Sequence, residues 1–175
     1  MSRCELATID RLLTCAAAEL FGSLGVRCDA IAVDGPSPPG PLVASTMGFC
    51  GDGVRGAITL LLERSTISAL YADVAPTGGE SMHDACGELA NMLIGGLQAR
   101  LRPLGASIRI GLPITIRGAD LALGASCAAT STGRAFATGH GRILLRLDLE
   151  LDHGFAFASE PALEPSVGAG DALYF

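Results

Sequence analysis

Residues 80–105 have the sequence ESMHDACGELANMLIGGLQARLRPLG, and the rest of the chain is best understood around this stretch. At 100° per residue, positions three or four apart lie on the same side of a helix. Apolar residues recur at this interval and predict one buried side. The predicted core-facing positions are Met82, Cys86, Leu89, Leu93, Leu97 and Leu101. The pattern therefore predicts one long amphipathic helix.

The opposite side of this predicted helix is polar. Asp84, Glu88, Asn91 and Gly95 follow at intervals of four, three and four residues, so they form a nearly straight row. Packing does not require a carboxylate and a carboxamide one turn apart, and a glycine lets another surface approach closely. The row is therefore a candidate reactive or docking surface. The alternative is an ordinary solvated helix face, on which Glu is common and Asn is tolerated.

The length of 175 residues is enough for one domain with a sizeable core, which we place at residues 1–160. The last residues, 161–175, are expected to form a flexible tail. Apolar residues make up 49% of the chain and the mean hydropathy is +0.44. No run reaches the roughly 18 to 20 apolar residues of a membrane span. The apolar excess is therefore expected to fill a core or a subunit interface.

The net charge is −6, and all 12 basic residues are arginines, since the chain has no lysine. An acidic chain without a basic patch argues against nucleic-acid binding. The N-terminus, MSRCELATIDRLL, lacks the apolar centre of a signal peptide, so we expect a cytoplasmic protein with no membrane association. The six cysteines are scattered without a Cys-x-x-Cys pair, so neither a metal site nor a redox pair is predicted.

Elsewhere the periodicity predicts helices in the first half and mostly strands in the second. A first helix is expected over residues 2–22 and a short one over residues 65–74. Strands are expected at 26–33, 42–50, 54–63, 108–112, 114–117, 126–132, 134–138 and 143–151, with a hairpin turn at Gly51-Asp52-Gly53, a break at Pro113 and an interruption near Gly133. The polar side of strand 143–151, with Arg146 and Asp148, should face solvent. The expected class is α+β: a mainly antiparallel sheet with one long helix and one or two further helices packed on it.

The helix pattern and the strand sequences before and after it resemble those of a known protein family. Asp84, Glu88 and Asn91, followed by the strand sequence IGLPITI at residues 110–116, resemble the signature of the CheC/CheX/FliY family of chemotaxis phosphatases. Residues 53–60, GVRGAITL, are similar to the strand that precedes the family's helices. The similarity extends over about residues 48–118, in the family's order.

The resemblance implies hydrolysis of the aspartyl phosphate of a CheY-like response regulator. It implies that Glu88 pairs with the regulator's active-site lysine and that Asn91 enters its active site. Asp84 and Gly95 are candidate partner contacts, although Asp84 could instead stabilise the helix dipole and Gly95 could instead permit tight helix packing. This chain is expected to bind no cofactor, and the Mg²⁺ ion would be held by the regulator.

Some family members carry two such motifs and others carry one. The first helix repeats only the spacing, as Cys15-x-x-x-Glu19-x-x-Gly22, without the asparagine. The chain is therefore most similar to the single-motif CheX branch, whose members typically form dimers through their sheets, and a homodimer is expected. Glu19 and His83 are expected to be ordinary surface residues.

Two other functions stay open at this point. Pro113 lies one position closer to Asn91 than the family's usual spacing, and the chain lacks lysine and aromatic anchors. A non-catalytic module that binds or scaffolds a signalling partner is therefore the alternative. A third possibility is that Glu88 and Asn91 are buried within a homo-oligomer. Neither the particular regulator nor the pathway, chemotaxis or another two-component system, follows from the sequence.

Overall fold

The computed structural model describes residues 3–27, 29–31, 40–71, 79–124 and 130–158, with the side chains of residues 3, 4 and 79–81 left aside. In these ranges, one helix is followed along the chain by three strands, two helices and four further strands. The helices are α1 (Arg3–Ser23), α2 (Arg64–Leu70) and α3 (Gly79–Leu101), and the strands are β1 (Asp29–Ile31), β2 (Pro41–Gly51), β3 (Val54–Glu63), β4 (Ile108–Ile110), β5 (Ile114–Ala119), β6 (Thr130–Thr138) and β7 (Gly141–Leu151).

The described strands form one antiparallel sheet of seven, in the order β1-β6-β7-β3-β2-β4, with β5 also paired to β2. The predicted hairpin joins β2 to β3, and Gly53 has the positive φ of 80° that its turn requires. Pro113 separates β4 from β5, and both strands pair with β2. The predicted α+β class with a mainly antiparallel sheet is confirmed.

Helices α1 and α3 pack side by side on one face of the sheet and enclose the core. Alternate residues of the strands point towards them, as the period of two predicts. On β2 these residues include Met47 and Phe49, and on β7 they include Leu145 and Leu147. The predicted apolar side of α3 is buried at Cys86, Leu89, Leu93, Leu97 and Leu101, while Met82 is partly buried.

Helix α3 begins and ends close to the predicted bounds. After Leu101 the chain tightens into a 3₁₀ turn over Arg102–Leu104, with Pro103 in it. Gly105 follows at φ 83°, a left-handed conformation that ends helices and favours glycine. The α-helix therefore ends at Leu101, before the predicted bound at Gly105, and the 3₁₀ turn occupies most of the difference.

Two strand predictions need correction. Residues 130–138 form one continuous strand through Gly133, because pairing with β7 continues on both sides of the glycine. The polar side of β7 is also less exposed than expected, since the side chains of Arg146 and Asp148 are only 22% and 15% exposed. Arg146 donates to the carbonyl oxygen of Gly124, which places the segment after β5 over this face of the sheet.

Several sequence predictions lie outside the described residues. They concern Ser2 at the first helix start, the loop at 34–39, the strand portion at 126–129 and the tail at 161–175. Among the helices that the structure describes, none is long and apolar enough to cross a membrane.

Candidate functional site

A cavity of about 380 Å³ opens between the first half of α3 and the beginning of β5. Asp84, Glu88, Asn91 and Pro113, which the sequence singled out, all line it. The full set of described lining residues is His83, Asp84, Gly87, Glu88, Asn91, Pro113 and Thr115. The fold therefore brings the helix motif and the following proline to one place.

The α3 wall of this cavity is the predicted polar row. Asp84, Glu88 and Asn91 are all exposed, while Leu89 and Ala90 between them are fully buried. This exposure rules out burial of Glu88 and Asn91 against the chain's own described residues. Asp84 is the sixth residue of α3, and a helix dipole acts mainly within the first turn, so the cavity explains this position better than dipole stabilisation does.

The β5 wall approaches α3 closely because residue 87 is a glycine. A Cβ atom built on Gly87 would lie 3.5 Å from Cγ of Pro113 and 3.6 Å from Oγ1 of Thr115. Thr115 is held by a hydrogen bond of 3.2 Å to the hydroxyl of the buried Ser45 on β2. Gly87 and Thr115 were not predicted from the sequence. Helical spacing places Gly87 on the same side of α3 as Asp84 and Asn91, whereas Thr115 reaches the cavity through the pairing of β5 with β2.

The two central side chains are free to meet another molecule. Asn91 is the only asparagine of the chain, and in the described part of the structure its carboxamide has no hydrogen-bond partner. Glu88 likewise has no ion pair among the described residues. The cavity thus presents two carboxylates and one uncommitted amide, and no arginine is among its described lining residues.

Tyr71, after α2, supports this end of α3. Its hydroxyl donates to the carbonyl oxygen of Ala85 at 3.3 Å. The pKa of Tyr71 is raised, first because burial disfavours the phenolate and then because the Glu88 carboxylate opposes a second negative charge nearby. Tyr71 therefore stays neutral at physiological pH and acts as a hydrogen-bond donor.

His83 is not the surface histidine that the sequence suggested. It is half-buried, and its Nε2 atom is shielded from solvent without a hydrogen-bond partner in the described structure. It lies at the edge of the cavity beside Asp84. A buried imidazole nitrogen without a partner is unusual in a folded protein.

The two glycines after Asn91 have different surroundings. A Cβ atom on Gly95 would meet nothing within 4 Å, and Gly95 is not part of the cavity wall. A Cβ atom on Gly96 would lie 3.6 Å from Cβ of Ala16 on α1. Gly96 therefore serves helix packing, whereas Gly95 faces open space next to the polar row.

The spacing repeat in α1 has a structural explanation. Glu19 is exposed and accepts a hydrogen bond from Arg100 of α3, and Arg100 also donates to the carbonyl oxygen of Gly96 at 3.0 Å. The carboxylate thus ties α1 to α3. In the described ranges, no three His, Cys, Asp or Glu side chains are grouped as metal ligands.

The fold is shared with solved structures of one class of protein. A CheX chemotaxis protein from Desulfovibrio desulfuricans has a TM-score of 0.69 and 20% identity, over 81% of this chain and 99% of that one. CheX from Vibrio vulnificus has a TM-score of 0.68 and 19% identity, over 79% of this chain and 93% of that one. The CheX–CheY–BeF₃–Mg²⁺ complex from Borrelia burgdorferi contains a chain with a TM-score of 0.60 and 15% identity, over 80% of this chain and 96% of that one.

At the level of sequence, residues 43–133 match the family described as chemotaxis phosphatase CheX. This match spans more than half of the chain and includes α3, the cavity and strands β3, β4 and β5. The protein therefore belongs to the CheX family of chemotaxis phosphatases. No significant match to a curated protein was found.

Proposed function

We propose that this protein hydrolyses the aspartyl phosphate of a CheY-type response regulator in the cytoplasm, in chemotaxis or a related two-component pathway. The observation that carries the proposal is the exposed, uncommitted pair Glu88 and Asn91 beside Pro113, in a chain of a chemotaxis phosphatase family. A solved complex of a CheX with a CheY supports the partner class.

Asn91 is assigned the role of placing water. An acyl phosphate is already activated, so a catalyst needs mainly to hold a water molecule in line with the phosphorus atom. Attack forms the new P–O bond, and the aspartyl carboxylate of the regulator leaves. A carboxamide can accept a hydrogen bond from this water and adds no negative charge beside the phosphoryl group. The free amide of Asn91 at an open cavity suits this role.

Glu88 is assigned the role of binding a cation of the partner. A carboxylate close to the phosphoryl group would repel it, so Glu88 is unsuited to approach the reacting phosphorus. One turn away from Asn91, it can instead pair with the lysine of the regulator's active site. Asp84 lies one further turn away on the same wall and extends this negative surface, while Gly95 leaves space for the regulator beyond Asn91.

The Mg²⁺ ion of the reaction is proposed to be held by the regulator. A divalent cation there offsets the negative charge that the phosphoryl oxygens carry during transfer. The residues of this chain would then complete an active site whose other half, with the phosphate and the metal, belongs to the partner.

The decisive experiment measures dephosphorylation of purified CheY-like receivers from the same genome, with Mg²⁺ present. We expect the wild type to accelerate phosphate release. Asn91→Ala should lower kcat by about 100-fold or more, because water is no longer positioned. Asn91→Asp should be equally impaired, because its carboxylate repels the phosphoryl group. Glu88→Ala should raise KM by roughly tenfold or more through loss of the charge pair.

Glu19→Ala is the matched control, because Glu19 has the same helical spacing in α1 but lies outside the cavity. This variant should keep wild-type turnover. Absence of acceleration with every receiver would contradict the proposed activity. If a receiver still binds, and binds Asn91→Ala equally well, the protein is instead a non-catalytic module that binds or scaffolds its partner.

A further inference from the structure

A second cavity, of about 330 Å³, lies behind His83 at the same end of the molecule. The beginnings of β2 and α2, the first turns of α3 and the end of β5 meet around it. Its described lining residues are Pro41, Leu42, Val43, Arg64, Met82, His83, Arg117 and Gly118. The volume is at the lower end of the range for small-molecule sites.

The charged residues of this cavity are all basic. Arg64 and Arg117 line it from different elements, and no described lining residue is an acid. Neither arginine has an ion pair among the described residues. Glu63, the neighbour of Arg64 in sequence, contacts Arg142 instead. Its Oε1 atom accepts a hydrogen bond of 3.0 Å from the backbone N–H of Arg142 and lies 3.9 Å from the Nε atom of the same residue. Among the described residues, two arginines thus line one cavity without a carboxylate to balance them.

His83 forms the boundary between the two cavities, since it lines both. Its Nε2 atom is buried and has no partner in the described structure. A shielded polar atom of this kind costs free energy unless a ligand or water satisfies it. His83 thus adds a third polar side chain to the wall of the second cavity.

The remaining wall is apolar, formed by Leu42, Val43 and Met82 together with Pro41. Guanidinium groups recognise carboxylates and phosphates, and apolar side chains favour a ligand with a hydrocarbon body. From this combination we infer that the cavity bounded by Arg64, Arg117 and His83 is a binding site for a small oxyanion, a phosphate or a carboxylate, separate from the Glu88–Asn91 cavity.

Ligand titrations of the isolated protein test this site without any receiver. The probes are inorganic phosphate, phenyl phosphate and benzoate, with benzyl alcohol as the neutral control, at constant ionic strength. Nuclear magnetic resonance should show saturable shifts of the His83 and Met82 signals, with a Kd of about 1 mM or tighter for at least one anion. Benzyl alcohol should bind at least tenfold more weakly. Equal binding of both phosphates would identify free phosphate as the occupant, and preference for the aromatic anions would identify an organic anion.

The double variant Arg64→Gln/Arg117→Gln should weaken anion binding at least tenfold. Both arginines are exposed, so the fold should be retained, as circular dichroism can verify. Arg109→Gln is the matched control, because Arg109 is an exposed arginine that lines a different cavity. Anion shifts that never saturate, or that are the same in the double variant, would overturn the inference. Either result is independent of whether the protein dephosphorylates a receiver.

Discussion

A side chain introduced at Gly95 should affect the stability of the chain and the binding of its partner in different ways. Gly95 lies in α3, one turn after Asn91, and a side chain there would meet nothing within 4 Å in the chain itself. Glycine in a helix interior costs about 1 kcal/mol relative to good helix formers. The open space beside the polar row is what a docked regulator would use.

Gly95→Leu is therefore expected to raise the free energy of unfolding by up to about 1 kcal/mol, because leucine has the higher helix propensity. In the dephosphorylation assay it should raise KM by roughly fivefold or more, because the leucine would collide with the regulator. Urea denaturation and steady-state kinetics measure the two effects. An unchanged KM would remove Gly95 from the partner surface.

Cys86 is a residue whose burial makes stability depend on pH. Its side chain is fully buried in the core, and this burial raises the pKa of the thiol from 9.0 to about 12. The unfolded chain therefore loses this proton at a lower pH than the folded chain. Stability from this group is complete below pH 9 and is lost as pH rises from 9 towards 12.

At pH 10 the loss should be roughly 1 kcal/mol relative to pH 8. Urea denaturation at the two pH values measures it, and Cys86→Ala should reduce the difference by about that amount while lowering stability at both. Cys15→Ala, at an exposed cysteine, is the matched control for the substitution itself. An unchanged pH dependence in Cys86→Ala would contradict the burial argument.

At the residue scale, the sequence predicted the α3 side of the site and missed most of the opposite side. Asp84, Glu88 and Asn91 lie in one row because helical spacing is a local property. Thr115 and the close approach of Gly87 to Pro113 depend on how β5 pairs with β2, some 70 residues away along the chain. The partial burial of His83 was also missed, and the cavity that it lines includes residues of β2 and β5, which are distant in sequence.

At the element scale, α1 and α3 form one packed layer whose spacing depends on a small residue. The Cβ position of Gly96 lies 3.6 Å from that of Ala16, so there is room for hydrogen or a methyl group but not for a longer side chain. The Glu19–Arg100 ion pair spans the same interface. The two helices are therefore held together by close packing with a charge contact at its edge.

Gly96→Leu should lower the free energy of unfolding by about 1–3 kcal/mol, because the leucine forces α1 away from α3. Urea denaturation compares it with Gly95→Leu, the same substitution at the adjacent position without a neighbour. The opposite signs expected for the pair separate packing from helix propensity. Equal stability of the two variants would mean that α1 can shift without cost.

The bounds of most elements could be predicted from the local sequence. The errors arose where the structure depends on contacts between residues that are distant in sequence. Helices α1 and α3 and strands β2 and β3 were predicted to within a few residues, because caps, turns and periodicity are written in the local sequence. The continuity of β6 through Gly133 depends on its partner β7. The cover over Arg146 depends on Gly124, which lies in the segment after β5 and accepts a hydrogen bond from this arginine.

At the scale of the whole molecule, the sheet ends in a strand that a monomer would leave exposed. Strand β5 pairs only with β2 among the described strands, so its other edge has no partner there. Ile114 and Ile116 on this strand are 66% and 55% exposed, and Leu112 just before it is 87% exposed. Exposed apolar edge strands favour pairing with another chain. From these features we predict that two copies of the chain associate through β5.

We expect the wild type to sediment as a dimer and Ile114→Lys/Ile116→Lys to sediment as a monomer, because two charges at this edge oppose association. Substitution of exposed residues should change the stability of the chain itself by no more than about 0.5 kcal/mol each. Ile31→Lys is the matched control, since Ile31 is an exposed isoleucine on β1 at the opposite end of the sheet. Analytical ultracentrifugation distinguishes the outcomes. A monomeric wild type would contradict the dimer, and a dimer disrupted only by Ile31→Lys would place the interface at β1.

If β5 is the interface, the two cavities of each subunit lie close to it. Dimer formation should then also change the KM for the regulator.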